Sequence, residues 1–275
     1  MLKEILQTLQ IETEAEALNL ILTFILSGLI GYVWSHRGQV TGTEKEKEKV
    51  EDGEGLSELQ DGDVSLPGSE SLLKLIKDRR SIMPKDLTGE ILSDETIEYL
   101  LEAGNWAPTH HKTQPWRYIV ISGPNNILDY LDFIEKWYSD NRELVSEDEF
   151  QKFQDKYSSM RETLPANVSH MLVIGMKRQA LTDKLLPEWE EIAATSCSVQ
   201  NIHLALTALP GCGGFWSSHT WCKHARDSNQ FKEYLGLESE DRVFGAFILG
   251  RIRDGAKFKS TRADWRNKVV WRTGS

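Results

Sequence analysis

The chain has 275 residues, enough for one or two domains with a real core, and its 40% hydrophobic and 27% charged residues make an ordinary globular composition. Its formal net charge of −10 is concentrated: ten acids face three lysines between Glu44 and Glu70, residues 1–43 add −2, and about −1 is left for residues 71–275. A nearly neutral domain argues against a nucleic-acid footprint. Three cysteines, an odd number without a C-x-x-C pair, and the lack of an H-E-x-x-H motif argue against a disulfide framework and a structural metal.

Residues 17–34, ALNLILTFILSGLIGYVW, carry no charge and reach the minimum length of a membrane span. Tyr32 and Trp34 suit an interfacial belt, and His36 and Arg37 behind the run place the C-terminal side in the cytosol. Glu12, Glu14 and Glu16 stand where a signal peptide needs basic residues. The expectation is a segment 1–37 with a single-pass anchor and a catalytic domain on the cytosolic side. Residues 38–70 hold EKEKEK and a Gly/Asp/Glu/Ser run, too polar to offset their ordering entropy, so a disordered acidic linker is expected.

From Ser71 the texture becomes that of a folded domain, 71–275. Leu72, Leu75, Ile76 and Arg79 have helical spacing behind Ser71 as N-cap. A second helix over 94–104 follows Ser93, and RYIVISG (117–123) reads as a strand. Residues 125–163 are charged and helical in pattern, and predict a mobile surface excursion. HMLVIGMKR (170–178) and VFGAFILGR (243–251) predict buried strands, 187–209 a long helix of small residues, and KVVW (268–271) a fourth strand. The mixture predicts an α+β layered fold with a mixed sheet flanked by helices.

Three short stretches carry candidate chemistry. Arg79-Arg80-Ser81 ends a helix and can hold a phosphate by bidentate, charge-assisted hydrogen bonds, although a basic helix end also simply suits the dipole. Ala107 to Trp116, APTHHKTQPW, is a loop pinned by two prolines whose polar side chains can line a flat heterocycle. Gly211 to His219, GCGGFWSSH, offers glycines for close backbone approach and Trp216 to cover a ring. Each alone has a bland reading as a solvated helix end, a connection or a turn.

Their order is less easily dismissed. R-R-S near the domain start, A-P-x5-Q-P-W, Trp189-Glu190 opening a small-residue helix, Gly-Gly-x-Trp after it, then L-G-L (235–237) and I-L-G (248–250), resemble the FMN-dependent nitroreductase family in its compact bacterial branch. The resemblance covers about 71–271. It implies a homodimer with FMN at the subunit interface, reduced by NADH or NADPH in a ping-pong cycle that then serves a nitro, quinone or similar electron-poor acceptor. Carried over by position, Arg79, Arg80 and Ser81 bind the flavin phosphate and ribityl chain. His110 faces the flavin from one subunit, and Trp216, Ser217 and Ser218 contact it from the Gly-Gly-x-Trp segment. Arg262, in K-S-T-R, is a further phosphate candidate. No side-chain nucleophile is implied, because the flavin carries the hydride chemistry.

Three positions depart from the pattern. Met83 stands where many members have Arg or Lys, Lys112 where many have Asn, and Trp106 where compact members tend to have Arg. Less positive charge near the flavin makes it harder to reduce unless Lys112 or His110 compensates. The resemblance also leaves room for a reductive dehalogenase of the iodotyrosine deiodinase type, for a non-enzymatic flavin-binding protein held at a membrane, and for a membrane-tethered interaction module.

Overall fold

A computed structural model divides the chain into two units, Met1–Gly62 and Asp63–Ser275. The structure describes residues 67–181 and 184–272, all in the second unit. The stretch 17–34 expected to span a membrane, and most of the linker, lie outside the described residues.

Helix α1 (Pro67–Asp78) opens with proline, whose missing N–H costs nothing in a first turn, so Ser71 lies inside the helix rather than capping it. Helix α2 (Asp94–Asn105) is capped by Ser93, whose hydroxyl accepts from the Thr96 N–H at 3.3 Å. Strand β1 (Trp116–Ser122) leads into α3 (Gly123–Asp140) and α4 (Glu147–Asn167). Strand β2 (His170–Met176), a small hairpin of β3 (Ala180–Leu181) and β4 (Lys184–Leu185), and the long α5 (Glu188–Ala208) follow. The chain then forms β5 (Cys212–Ser217), short α6 (Lys223–Asp227) and α7 (Asn229–Tyr234), and β6 (Arg242–Arg251).

The main sheet has the order β1-β2-β6-β5, with every neighbouring pair antiparallel. Its parallel component is a single bridge, Ser81 to Gly214, at the β5 edge. Strand periodicity splits the core between the two faces of the sheet. Leu172, Ile174, Phe247 and Leu249 meet Ile97 and Leu100 of α2 and Val199, Ile202 and Leu206 of α5. Met171, Val173, Ala246 and Ile248 point the other way, to Tyr130, Leu131, Ile134, Phe153 and Phe231 from α3, α4 and α7. The result is the α+β layering the sequence predicts.

Three sequence expectations need correction. Residues 125–163 are not a surface excursion: α3 buries Ile127, Tyr130, Leu131, Ile134, Trp137 and Tyr138, and Tyr138 stacks on Phe153 of α4 at 3.7 Å. The apolar residues sit one helical turn apart among charged neighbours, so average polarity hides a complete buried stripe. KVVW forms no strand; Trp265–Lys268 is a 3-10 turn, and Val270 and Trp271 stand 85% and 73% exposed. β-branched residues make a strand only where a neighbour accepts the pairing. The single-pass membrane placement, with the domain on the cytosolic side, is also withdrawn. Among the described residues no helix is long and apolar enough to cross a membrane.

Candidate functional site

The R-R-S segment follows directly from the end of α1. The Arg79 N–H still donates to the Leu75 carbonyl at 3.1 Å, and the chain then joins the sheet edge, where the Ile82 N–H donates to Gly214 at 3.0 Å. Ser81 is exposed beside that bridge. The two arginines do not act as a matched pair. Arg80 turns back, donating from Nη1 to the carbonyls of Lys77 at 2.5 Å and Arg79 at 2.9 Å. It thereby satisfies free carbonyls at the end of α1, while its Nε is buried without a partner.

Arg79 instead lies against His203 of α5, with Nη1 3.5 Å from both ring nitrogens. Burial pushes the Arg79 guanidinium below its ordinary value, and the nearby charges of Arg262 and Arg80 push the same way. Arg262 donates to the Ser260 hydroxyl and the Thr261 carbonyl, both at 2.8 Å. None of the ion pairs among the described residues involves Arg79, Arg80 or Arg262. Three guanidiniums thus share one corner without an ion pair of their own among the described residues. The nearest carboxylate, Asp78, pairs with Lys74 and is held low by Lys74 and Arg80, and such an excess of positive charge attracts an anion.

β5 carries the glycine-rich segment, which is a strand rather than the loop its composition suggests. A Cβ on Gly213 would stand 2.6 Å from the Ile82 side chain, and one on Gly214 would stand 2.3 Å from the Ile248 carbonyl oxygen. These glycines make room for the protein's own neighbours. Beyond them, the Trp216 indole donates to the Phe244 carbonyl at 2.7 Å and remains 37% exposed. Ser217 is half-buried, and Ser218 is exposed with its carbonyl accepting from Arg226 at 2.6 Å. A cavity of about 480 Å³ opens here between Trp216, Ser218, Arg226, Arg242 and Phe244.

The proline-pinned loop occupies a different place. His110 donates from Nδ1 to the Glu190 carboxylate in the first turn of α5. His111, Lys112 and Gln114 adopt left-handed backbone, with φ of 49°, 57° and 45°, an uncommon state for residues with a Cβ and a frequent mark of functional loops. Thr109 steadies the turn by meeting the Thr113 hydroxyl at 3.0 Å and the Gln114 N–H at 3.1 Å. A cavity of about 420 Å³ lies between Thr109, His110, Trp189, Ala193 and Cys197. Of the three departures from the family pattern, Lys112 and Met83 are exposed at the surface and Trp106 is 80% exposed.

The structure therefore joins the Arg79–Ser81 segment to the glycine–tryptophan strand through the Ser81–Gly214 bridge. It does not bring His110 to the same place within one chain. His110 meets Glu190 and Arg79 meets His203, thirteen positions apart on α5, roughly 20 Å at 1.5 Å per residue. His203 is the residue that motif reading misses; its signal is the one histidine of α5, set among Ile202, Leu204 and Ala205.

Comparison with known proteins decides the family. The model of the nitroreductase family matches residues 76–251. The chain belongs to the nitroreductase family. A curated relative from Haemophilus influenzae, named "Putative NAD(P)H nitroreductase", is 25% identical over 202 residues, covering 72% of this chain and 98% of its own. The crystal structure of a nitroreductase-like family protein from Bacillus cereus superposes with a TM-score of 0.56 at 22% identity, covering 74% of this chain and 96% of its own. A nitroreductase from Bacteroides fragilis with bound FMN gives 0.53 at 19% identity, covering 73% and 98%. Family membership embraces both the strand that bears Trp216 and the corner that bears Arg79.

Proposed function

We propose that this nitroreductase-family chain is an FMN-dependent oxidoreductase that uses NADH or NADPH to reduce nitro, quinone or similar electron-poor compounds in a ping-pong cycle. The observation that carries the reading is the corner of Arg79, Arg80 and Arg262: both other guanidiniums repel Arg79, none of the three is in an ion pair among the described residues, and the nearby Asp78 carboxylate is taken by Lys74. The buried, unpartnered Nε of Arg80 beside Lys77 and Arg79 fits the same demand for an acceptor. A flavin mononucleotide phosphate supplies up to two negative charges and three acceptor oxygens, a match in charge and geometry.

In this reading Arg79, Arg80, Ser81 and Arg262 hold the phosphate and ribityl end. Trp216, Ser217 and Ser218, two to four residues beyond the Ser81–Gly214 bridge, line the ring. When bound, the flavin supplies the hydride chemistry between nicotinamide and acceptor. The protein excludes water and orients the partners through the Trp216 cavity.

A second copy of the chain completes the site. α5 lays one side on the sheet, while Trp189 and Ile192 on it remain 69% and 38% exposed. Exposed apolar area is added by Leu72, Leu73 and Ile76 of α1 and by Val270 and Trp271 of the C-terminal tail. A homodimer buries it and lets His110 of one chain approach the flavin held by Arg79 of the other.

The test is to titrate the purified full-length protein with FMN, follow quenching of flavin fluorescence, and then add NADH or NADPH with a quinone. Saturable binding by a dimer, with turnover of nicotinamide, supports the assignment. A monomer that neither binds FMN nor oxidises nicotinamide overturns it. Binding without turnover on either nicotinamide removes the enzymatic part and leaves a flavin-binding protein.

A further inference from the structure

We propose that His203 is a positioning residue that sets the Arg79 guanidinium for the phosphate of a bound flavin mononucleotide, an inference that rests on the FMN reading above. His203 lies in the middle of α5 and is only 7% exposed. Its ring is held among several other elements, the Gly214 backbone of β5 included. Nε2 is 3.0 Å from the Arg80 carbonyl, and the Phe247 ring of β6 stands edge-on at 5.0 Å. A further neighbour is Arg79, whose Nη1 lies 3.5 Å from Nδ1 and from Nε2.

The tautomer follows from these contacts. The carbonyl of Arg80 can only accept, so Nε2 carries the hydrogen, and the guanidinium, equidistant from both ring nitrogens, lies against the ring. Burial holds the imidazole at a pKa of about 4, with the charge of Arg79 acting in the same direction. The ring is therefore neutral at ordinary pH and attracts the guanidinium, whereas an imidazolium would repel it.

Arg79 needs such a hold. Its charged neighbours Arg80 and Arg262 both repel it, and among the described residues His203 is the one side chain that draws it in. A free arginine side chain loses considerable rotamer freedom when it binds an anion. Restraining it beforehand moves that cost into folding, which is how preorganisation raises affinity. His203 also bonds the backbone that leads to Ser81, so one buried ring registers both the charge and the hydroxyl proposed to meet the phosphate.

The experiment compares FMN with riboflavin, which lacks the phosphate, using flavin fluorescence on the full-length protein. Wild type, His203→Leu, Arg79→Ala, the double variant and His203→Gln are titrated in parallel. His203→Leu is expected to bind FMN about tenfold more weakly, the scale of one hydrogen bond to a charged group. Its riboflavin affinity is expected to stay within about twofold, and the double variant to be no worse than Arg79→Ala, since the histidine acts through the arginine. His203→Gln, which keeps a donor and an acceptor, is expected to recover most of the loss. Should His203→Leu not fold, His203→Met enters the same cycle, its unbranched chain adapting to the space. Equal loss of FMN and riboflavin, or additive losses in the double variant, overturns the positioning role. Wild type that binds riboflavin but not FMN overturns it as well, and wild type that binds neither overturns the FMN reading itself.

Discussion

Replacing Arg79 with glutamine should shift the stability of the free and flavin-loaded protein in opposite directions. In the free protein Arg79 is partly buried, repelled by Arg262 and Arg80, and held by one imidazole contact at 3.5 Å. Removing its charge relieves that repulsion. The amide keeps some hydrogen bonding to His203, so the free protein should change by no more than about 0.5 kcal/mol, toward greater stability. With FMN bound, the same change removes a charge-assisted hydrogen bond to phosphate, a loss of about 1.5–3 kcal/mol, or roughly 10- to 150-fold in affinity. Riboflavin binding should be nearly unaffected. The assay is thermal unfolding of wild type and Arg79→Gln, each without ligand, with saturating FMN and with saturating riboflavin. The FMN-induced rise in Tm should shrink in the variant while the ligand-free Tm holds or increases. A lower ligand-free Tm with an undiminished FMN response would refute the anion-site reasoning and make Arg79 a structural residue.

Other perturbations probe the frame around the site. Glu191 is 1% exposed, pairs with Arg178 at 2.6 Å and accepts the Gln179 N–H at 2.8 Å, so it ties the β3–β4 hairpin to α5. Glu191→Ala leaves Arg178 uncompensated and should cost about 3–5 kcal/mol in urea unfolding; a loss below about 1 kcal/mol would show that the pair is solvated. His219 is buried with its pKa held down at about 3, and His203 at about 4, both chiefly by burial. Folded-state values below the ordinary 6.5 mean that the unfolded chain binds protons first. Their stabilising contribution is therefore complete above about pH 6.5 and is lost progressively as pH falls toward the folded values. His219→Phe should flatten that acid limb in denaturant titrations across pH, and an unchanged slope would contradict the assignment. Gly245 has φ of +87°, and a Cβ there would stand 2.0 Å from the Ser217 carbonyl oxygen. Gly245→Ala should cost more than about 2 kcal/mol or displace Ser217 and Ser218, read as a lower Tm with weaker flavin binding; wild-type behaviour in both would show that β5 has room to move.

Local patterns made much of this protein legible. Alternating and β-branched runs marked β1, β2 and β6 because strand periodicity is a property of neighbours in sequence. Ser93 followed by Ile97, Leu100 and Leu101 marked α2 for the same reason. The family resemblance likewise lay in linear order, from Arg79-Arg80-Ser81 through Gln114-Pro115-Trp116 to Trp216, and the matched span 76–251 bears it out. Composition fails where charged residues surround a buried stripe, as in α3 and α4. It fails again where glycines serve a strand, as Gly213 and Gly214 do beneath Ile82 and Ile248.

The amino-acid order alone set the α+β class, the family and the residue types available for an anion. Only the tertiary structure decided that Arg80 folds back on α1, that Arg262 joins Arg79 from the far end of the chain, and that His203 stands between Arg79 and the backbone of Arg80. Packing makes those choices. A side chain's direction depends on which neighbour is buried beside it, and residues 79, 203 and 262 become neighbours only when α1, α5 and the tail meet the same sheet edge.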